Sequence, residues 1–330
     1  MAQTPLAPSP LPAAPVRPGR ARRVLRALAV VSCVPYLSLK IAWVAGSRIG
    51  IPEGSALLEK RALYAVANSV TILMDATVIV LALLLTQAWG RRVASWLLAF
   101  PMWVATGLLA PIMLGFPLQL VAAAFAGGPD AQDGTREPFL DDWVFDVVYG
   151  GFIMQGIALG TLFVLYARER WGGLWQGRVW ELPPVVSGPR TKAVAVAAAL
   201  LALFPAALHL MWALGSTTGL PAKAAEQRDT DMYLLEGTRV FFVAAAVTGV
   251  LMLVLRLGRA LKVKAVLGTA WVGSGAVGCW GGWMLMASLL PEDDPAKRAT
   301  GLLVLTYSVE MITGFLLAGC VVSFLRRRSA

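Results

Sequence analysis

Apolar residues run in long blocks along this chain, and polar residues are confined to the gaps between them. Eight such blocks fall at about 24–46, 62–87, 94–113, 143–167, 192–215, 232–256, 265–290 and 300–325. Each reaches roughly the eighteen to twenty residues that a helix needs to cross a hydrocarbon core about 30 Å thick. The pattern predicts an all-α integral membrane protein with eight transmembrane helices.

The gaps carry a second pattern. With the N-terminus in the cytoplasm, the inside segments hold nineteen Lys and Arg and the outside segments hold eight. Every inside connection is basic, while nearly all the loop acids fall outside, in "GGPDAQDGTREPFLDD", "EQRDTD" and "PEDDPAK". A miscounted helix would invert everything after it and destroy this alternation. Both termini are therefore expected in the cytoplasm of a multi-pass protein. Arginine in excess of lysine and abundant alanine suggest a bacterial chain, and hence the bacterial plasma membrane.

Composition agrees: 58% of residues are hydrophobic and 15% charged, against about 45–50% and 25% in soluble domains. A net charge of +10 would suggest nucleic acid in a soluble protein, but the positive-inside rule accounts for it here. The expected partner is the lipid bilayer, with no nucleic acid. Residues 1–23, rich in proline and then arginine, read as a disordered cytoplasmic tail. Within the block that follows, "VVSC" ending at Cys33 loosely resembles a lipoprotein cleavage box, yet the apolar run continues past it. Cys33, Cys279 and Cys320 have no CxxC spacing and read as packing residues.

The chain also repeats itself. "LKIAWVAGSRIGIP" at 39–52 and "LHLMWALGSTTGLP" at 208–221 share six of fourteen positions, at an offset of 169. "WVATG" at 103–107 pairs with "WVGSG" at 271–275, and Gly156, Leu159 and Arg168 pair with Gly314, Leu317 and Arg326. This predicts two four-span units, 24–168 and 192–326, in the same orientation as a parallel repeat. Between them a basic linker, 169–191, carries Trp171, Trp175 and Trp180 and is expected to rest on the cytoplasmic headgroups. A basic tail, 327–330, closes the chain. The repeated phrase resembles a helix-end signature, His–x–x–Trp–Ala–x–Gly, of small four-span bacterial membrane proteins. "LHLMWALG" matches it and "LKIAWVAG" carries Lys40 in place of the histidine. The resemblance implies a fusion of two such units and no particular activity.

Charged groups inside hydrocarbon cost about 2.5–3.5 kcal/mol each on insertion scales, so each calls for a reason. The blocks contain Lys40, Asp75, Asp146, His209, Glu236, Arg239 and Glu310, none clearly in the cytoplasmic half. A cavity open to the outside would collect them this way. Structural explanations stand beside this one. Lys40 can snorkel or pair with Asp75 on the next helix, Glu236 and Arg239 can neutralise each other at i, i+3, and His209 can bond a neighbouring carbonyl or hydroxyl. Trp43 and Trp212 are expected at the aromatic belt, or else as an aromatic wall to a cavity with Tyr36, Tyr149 and Met211.

Several signals lead nowhere. "GSGAVG" at 273–278 matches GxGxxG but lies inside an apolar block with no preceding strand, so packing explains it better. The glycine pairs 156/160 and 278/282 have the same GxxxG packing spacing. A haem enzyme would need several axial histidines and the chain has one. No cofactor, metal cluster or nucleophile–histidine arrangement is indicated. The leading expectation is a non-enzymatic membrane protein that binds or transports a small molecule or ion at a polar site between the repeats, through Lys40, Asp75, His209, Glu236, Arg239 and Glu310. The alternatives are a membrane interaction, sensor or self-protection protein with another membrane protein as partner, and an enzyme acting on lipid or quinone.

Overall fold

The computed structural model describes residues 19–59, 61–125, 139–183 and 186–329. The helices are α1 (Arg20–Val31), α2 (Val34–Val44), α3 (Ala56–Glu59), α4 (Arg61–Thr86), α5 (Ser95–Phe125), α6 (Asp142–Trp171), α7 (Pro189–Ala213), α8 (Ala222–Glu226), α9 (Thr230–Leu255), α10 (Val263–Ser288) and α11 (Gly301–Ser329). No strand occurs among the described residues. Seven stretches among them are helical, long and apolar enough to cross a membrane, with α1 and α2 together forming the first. The protein is an all-α polytopic membrane protein.

Each long helix matches one of the expected blocks, with three differences. The first block is broken at Ser32 and Cys33, just before Pro35, which sits in the first turn of α2. The third runs twelve residues further than expected, to Phe125, with Pro101, Pro111 and Pro117 inside it. Proline removes one backbone donor, but hydrocarbon offers the backbone no partner outside the helix, so the helix continues. Expected tail residues are helical as well: Arg20, Arg22 and Arg23 open α1, and α11 carries Arg327 and Arg328. The rest of the expected N-terminal tail, and most of the acidic stretch after α5, lie outside the described residues.

The block outside those seven stretches, 265–290, forms α10, which is as long as α9 but falls short of its neighbours in hydropathy, and its packing explains why. It carries Gly268, Gly273, Gly275, Gly278, Gly281 and Gly282, and three helices close on its backbone. Gly273 faces Ala246 of α9, Gly275 faces Gly107 of α5, and Gly278 and Gly281 face Gly314 and Met311 of α11. A helix surrounded by other helices needs small residues for close approach more than it needs leucine. The 278/282 glycine pair packs as expected, whereas Gly160 has nothing near it.

Two large apolar cores result among the described residues, beside a smaller cluster around Trp212. One gathers Ala29, Leu81, Leu98, Leu159 and Leu162 from α1, α4, α5 and α6. The other gathers Ala198, Val250, Leu267, Leu317 and Phe324 from α7, α9, α10 and α11. Helix α5 belongs to both groups, packing on α6 and α4 on one side and on α10 and α9 on the other.

The repeated phrase folds the same way twice. Gly46 and Gly215 end their helices at φ +93° and +103°, and Gly50 and Gly219 follow at φ +71° and +76°, conformations that favour glycine. Trp43 Nε1 donates to Ile49 O at 2.7 Å, and Trp212 Nε1 donates to Thr218 O at 2.9 Å. Ser47 N donates to Ala42 O at 2.8 Å, and Ser216 N to Met211 O at 2.9 Å. Gly50 then sits against Val144 at the start of α6, and Gly219 against Leu302 at the start of α11.

The linker is docked rather than laid flat. Val179, Leu182 and Val186 are buried in the second core, and Trp175 packs against it. Val179 N and Trp180 N donate to Leu261 O and Arg259 O at 3.0 and 3.3 Å, and Val263 N donates to Gly177 O at 3.0 Å. Trp171 packs on Phe163 and Tyr166. Of the three linker tryptophans, Trp180 alone is exposed.

Candidate functional site

Two cavities open within the helices, and between them they divide the expected residues. The first, about 530 Å³, lies among α2, α4, α5 and α6 and is closed on one side by Trp280 and Trp283 of α10. The second, about 460 Å³, lies among α5, α9, α10 and α11. Ile112, Tyr149 and Trp280 line both. Both volumes are in the range that holds a small organic ligand.

Lys40 and Asp75 line the first cavity. They do not form the expected ion pair. Lys40 Nζ donates to Asn68 Oδ1 at 2.7 Å and lies over the rings of Tyr36 and Trp43, 4.8 and 5.2 Å from their centroids. The reason is height: Asp75 is seven residues beyond Asn68 on α4, about 10 Å along the helix axis. Asp75 is 4% exposed. Its Oδ1 accepts from Gln155 Nε2 at 3.2 Å, and the same amide donates to Cys33 Sγ at 3.0 Å, at the break between α1 and α2. Asp75 Oδ2 is buried without a hydrogen-bond partner.

Glu236, Arg239 and Glu310 line the second cavity. The expected neutralisation of Glu236 by Arg239 along α9 does not occur, because each reaches a different helix. Arg239 Nη1 donates to both oxygens of Glu310 on α11, at 3.1 and 3.4 Å, and its guanidinium lies 5.3 Å from the Tyr307 ring. Glu236 Oε2 meets His209 Nδ1 of α7 at 2.5 Å, and His209 Nε2 lies 3.6 Å from Glu310 Oε2. The four groups form one chain, Glu236–His209–Glu310–Arg239. Glu236 is its most exposed member, while His209 stands fully buried behind the wall. The expected carbonyl or hydroxyl partner of His209 is thus replaced by carboxylates.

The two tryptophans line their cavities, Trp43 the first and Trp212 the second. Trp212 is not a belt residue: it is 1% exposed and packs edge-on to His209 at 5.1 Å. Arg228 secures this corner by donating to the carbonyls of Trp212 and Ser216. Tyr36 and Tyr149 line the first cavity as expected. Met211 and Asp146 do not take part; both are exposed.

Four contributors were not singled out in the sequence. Asn68 and Gln155 are neutral amides, and a search for charge passes over them. An amide deep in an apolar block was the available signal. Tyr307 and Trp280 have no signal of their own among many aromatics. Among the described residues, no group of three or more His, Cys, Asp or Glu is placed to hold a metal ion. Compared with protein-family models, curated proteins and solved structures, the chain matches none.

Proposed function

We propose that the chain is an eight-span protein of two parallel four-helix units, with both termini cytoplasmic, and that it binds and moves a small molecule through two linked cavities entered from outside. The observation that carries the functional reading is the pair of cavities, about 530 and 460 Å³, which share Ile112, Tyr149 and Trp280 at their junction. Each contains intramembrane charges, which are rare away from binding sites and ion pathways.

The architecture rests on two sets of contacts. Gly107 and Gly275, equivalent in the repeat, face each other where α5 meets α10, as residues on a two-fold axis must. Around them the equivalent tryptophans cross between the units. Trp103 packs on Phe315 of α11 at 5.2 Å, and Trp271 stacks on Phe163 of α6 at 5.5 Å. The basic helix ends gather together: Arg22 and Arg91 both pair with Glu169, and Arg256 and Arg328 donate to the linker carbonyls of Trp180 and Gln176. Counting α10 as a span keeps all of them on one side, as the positive-inside rule requires.

Single cysteines test the span count. A membrane-impermeant maleimide applied to intact cells is expected to label Ile49→Cys and Pro291→Cys, but Arg259→Cys only after permeabilisation. Labelling of residues 259 and 291 from the same side would mean that α10 does not cross.

The cavity reading is tested at the junction. Against a panel of small amphiphiles, the purified protein is expected to show ligands that raise its melting temperature. A ligand at 100 times its Kd stabilises by about 2.7 kcal/mol. Ile112→Trp, which fills the junction, is expected to weaken these shifts at least about tenfold in ligand concentration while leaving the unliganded protein folded. A panel without a single shift, or shifts untouched by Ile112→Trp, would remove the cavities from the function.

A further inference from the structure

The two cavities hold their charges differently. In the second, each carboxylate has an ionisable partner, Glu236 on His209 and Glu310 on Arg239. In the first, both charges rest on neutral amides, Lys40 on Asn68 and Asp75 on Gln155. Asp75 Oδ2 is left with no donor at all, in the wall of an otherwise mainly apolar and aromatic cavity. A buried carboxylate oxygen without a donor is costly, and such groups ordinarily have a partner from protein, solvent or ligand.

We propose that the first cavity binds an apolar amine, whose protonated nitrogen donates to Asp75 Oδ2 and whose hydrocarbon body lies against the aromatic wall. The assignment rests on the cavity reading above and gives it a ligand class. The protein's own cation does not fill the position. Lys40, the one Lys or Arg among the described residues lining this cavity, is held by Asn68 and by the faces of Tyr36 and Trp43. That leaves it about two helical turns from Asp75. The other ligand classes fit worse. A bare metal ion needs about six oxygen ligands, and the lining is mostly hydrocarbon. An anion would face the carboxylate. A neutral alcohol would supply one hydrogen bond and leave the charge of Asp75 uncompensated. An ammonium supplies both the donor and the charge, and aromatic rings such as Tyr149 and Trp280, which line the cavity, attract cations at their faces.

Three probes with one hydrocarbon body separate these classes: 1-adamantylamine, 1-adamantanol and 1-adamantanecarboxylate. Each is titrated calorimetrically at pH 7 into the full-length protein in detergent. The amine is expected to bind about tenfold or more tightly than the alcohol, and the carboxylate most weakly. Asp75→Asn keeps the side-chain shape and an acceptor for Gln155. It is expected to bring the amine within about twofold of the alcohol. Equal affinity for amine and alcohol in the unaltered protein overturns the amine assignment but leaves the cavity reading standing, and this comparison needs no variant. An amine preference that survives Asp75→Asn also overturns it. If none of the three probes binds the unaltered protein, both readings fail together.

Discussion

Gly107→Ala is expected to loosen the contact between the two halves of the protein, at a cost of about 2–4 kcal/mol. A single methyl group has this leverage because nothing around it can yield cheaply. A Cβ at position 107 would lie 2.8 Å from Gly275 Cα and closer still to its carbonyl, so it meets backbone rather than the end of a flexible side chain. Nor can α10 back away. On its other faces Gly273 is against Ala246 of α9, and Gly278 and Gly281 are against α11. The same seam carries the hydrogen bonds from Trp103 Nε1 to Ser274 Oγ at 3.2 Å and from Trp280 Nε1 to Leu108 O at 3.0 Å. A shift of α10 would strain both, and Trp280 lines both cavities. Gly160→Ala is the matched control, since a Cβ there has nothing within 4 Å. Thermal unfolding of the purified protein is the measurement. Equal stability of the two variants would mean that the seam tolerates separation.

This seam gives the cavities their form. The third helix of each proposed unit lines its own cavity and also reaches the cavity of the other. Ile112 and Phe116 of α5 reach the second cavity, and Trp280 and Trp283 of α10 reach the first. Neither half alone would enclose either space. A binding function built this way depends on both groups of helices, and the junction residues are its most sensitive part.

The helices were legible because an apolar block of membrane length carries its meaning without any knowledge of neighbours. Where neighbours decide, the sequence was a weaker guide. The expected end of α5, at 113, fell twelve residues short of the helix's end at Phe125, and the low hydropathy of α10 made sense only once three helices were seen around its glycines. The same division runs through the site. All six ionisable residues of the expected site are in the cavities or directly behind their walls, since charge inside an apolar block is visible in one dimension. Their partners were not, because pairing depends on facing as well as depth. Lys40 and Asp75 lie on adjacent helices but at different heights, and Asn68 stands at the right one. Glu236 and Arg239 share a helix face, yet His209 and Glu310 approach from α7 and α11 and claim them separately. Trp212, expected either at the aromatic belt or as a cavity wall, lines the second cavity and is packed in the cluster of Leu208, Leu303 and Tyr307.

Glu310→Gln is expected to be more damaging than the loss of both members of its pair. Glu310 is 2% exposed and receives Arg239 Nη1 on both oxygens, at 3.1 and 3.4 Å. The amide of the variant preserves shape but removes the counter-charge. The guanidinium then remains in an apolar bundle without its ion-pair partner, 5.3 Å from the Tyr307 ring. Removing one partner of a buried ion pair costs about 3–5 kcal/mol, whereas replacing both with apolar groups of similar volume is often neutral or better. Arg239→Met combined with Glu310→Met is therefore expected to be more stable than Glu310→Gln, and also more stable than Arg239→Met alone. The double variant retains the His209–Glu236 contact at 2.5 Å, which anchors α7 to α9 by itself. Unfolding of this set together with Glu310→Met alone, measured under one detergent condition, gives the coupling between the two positions as a double-mutant cycle. Strict additivity of the two methionine substitutions would mean that the pair contributes nothing to holding α9 against α11.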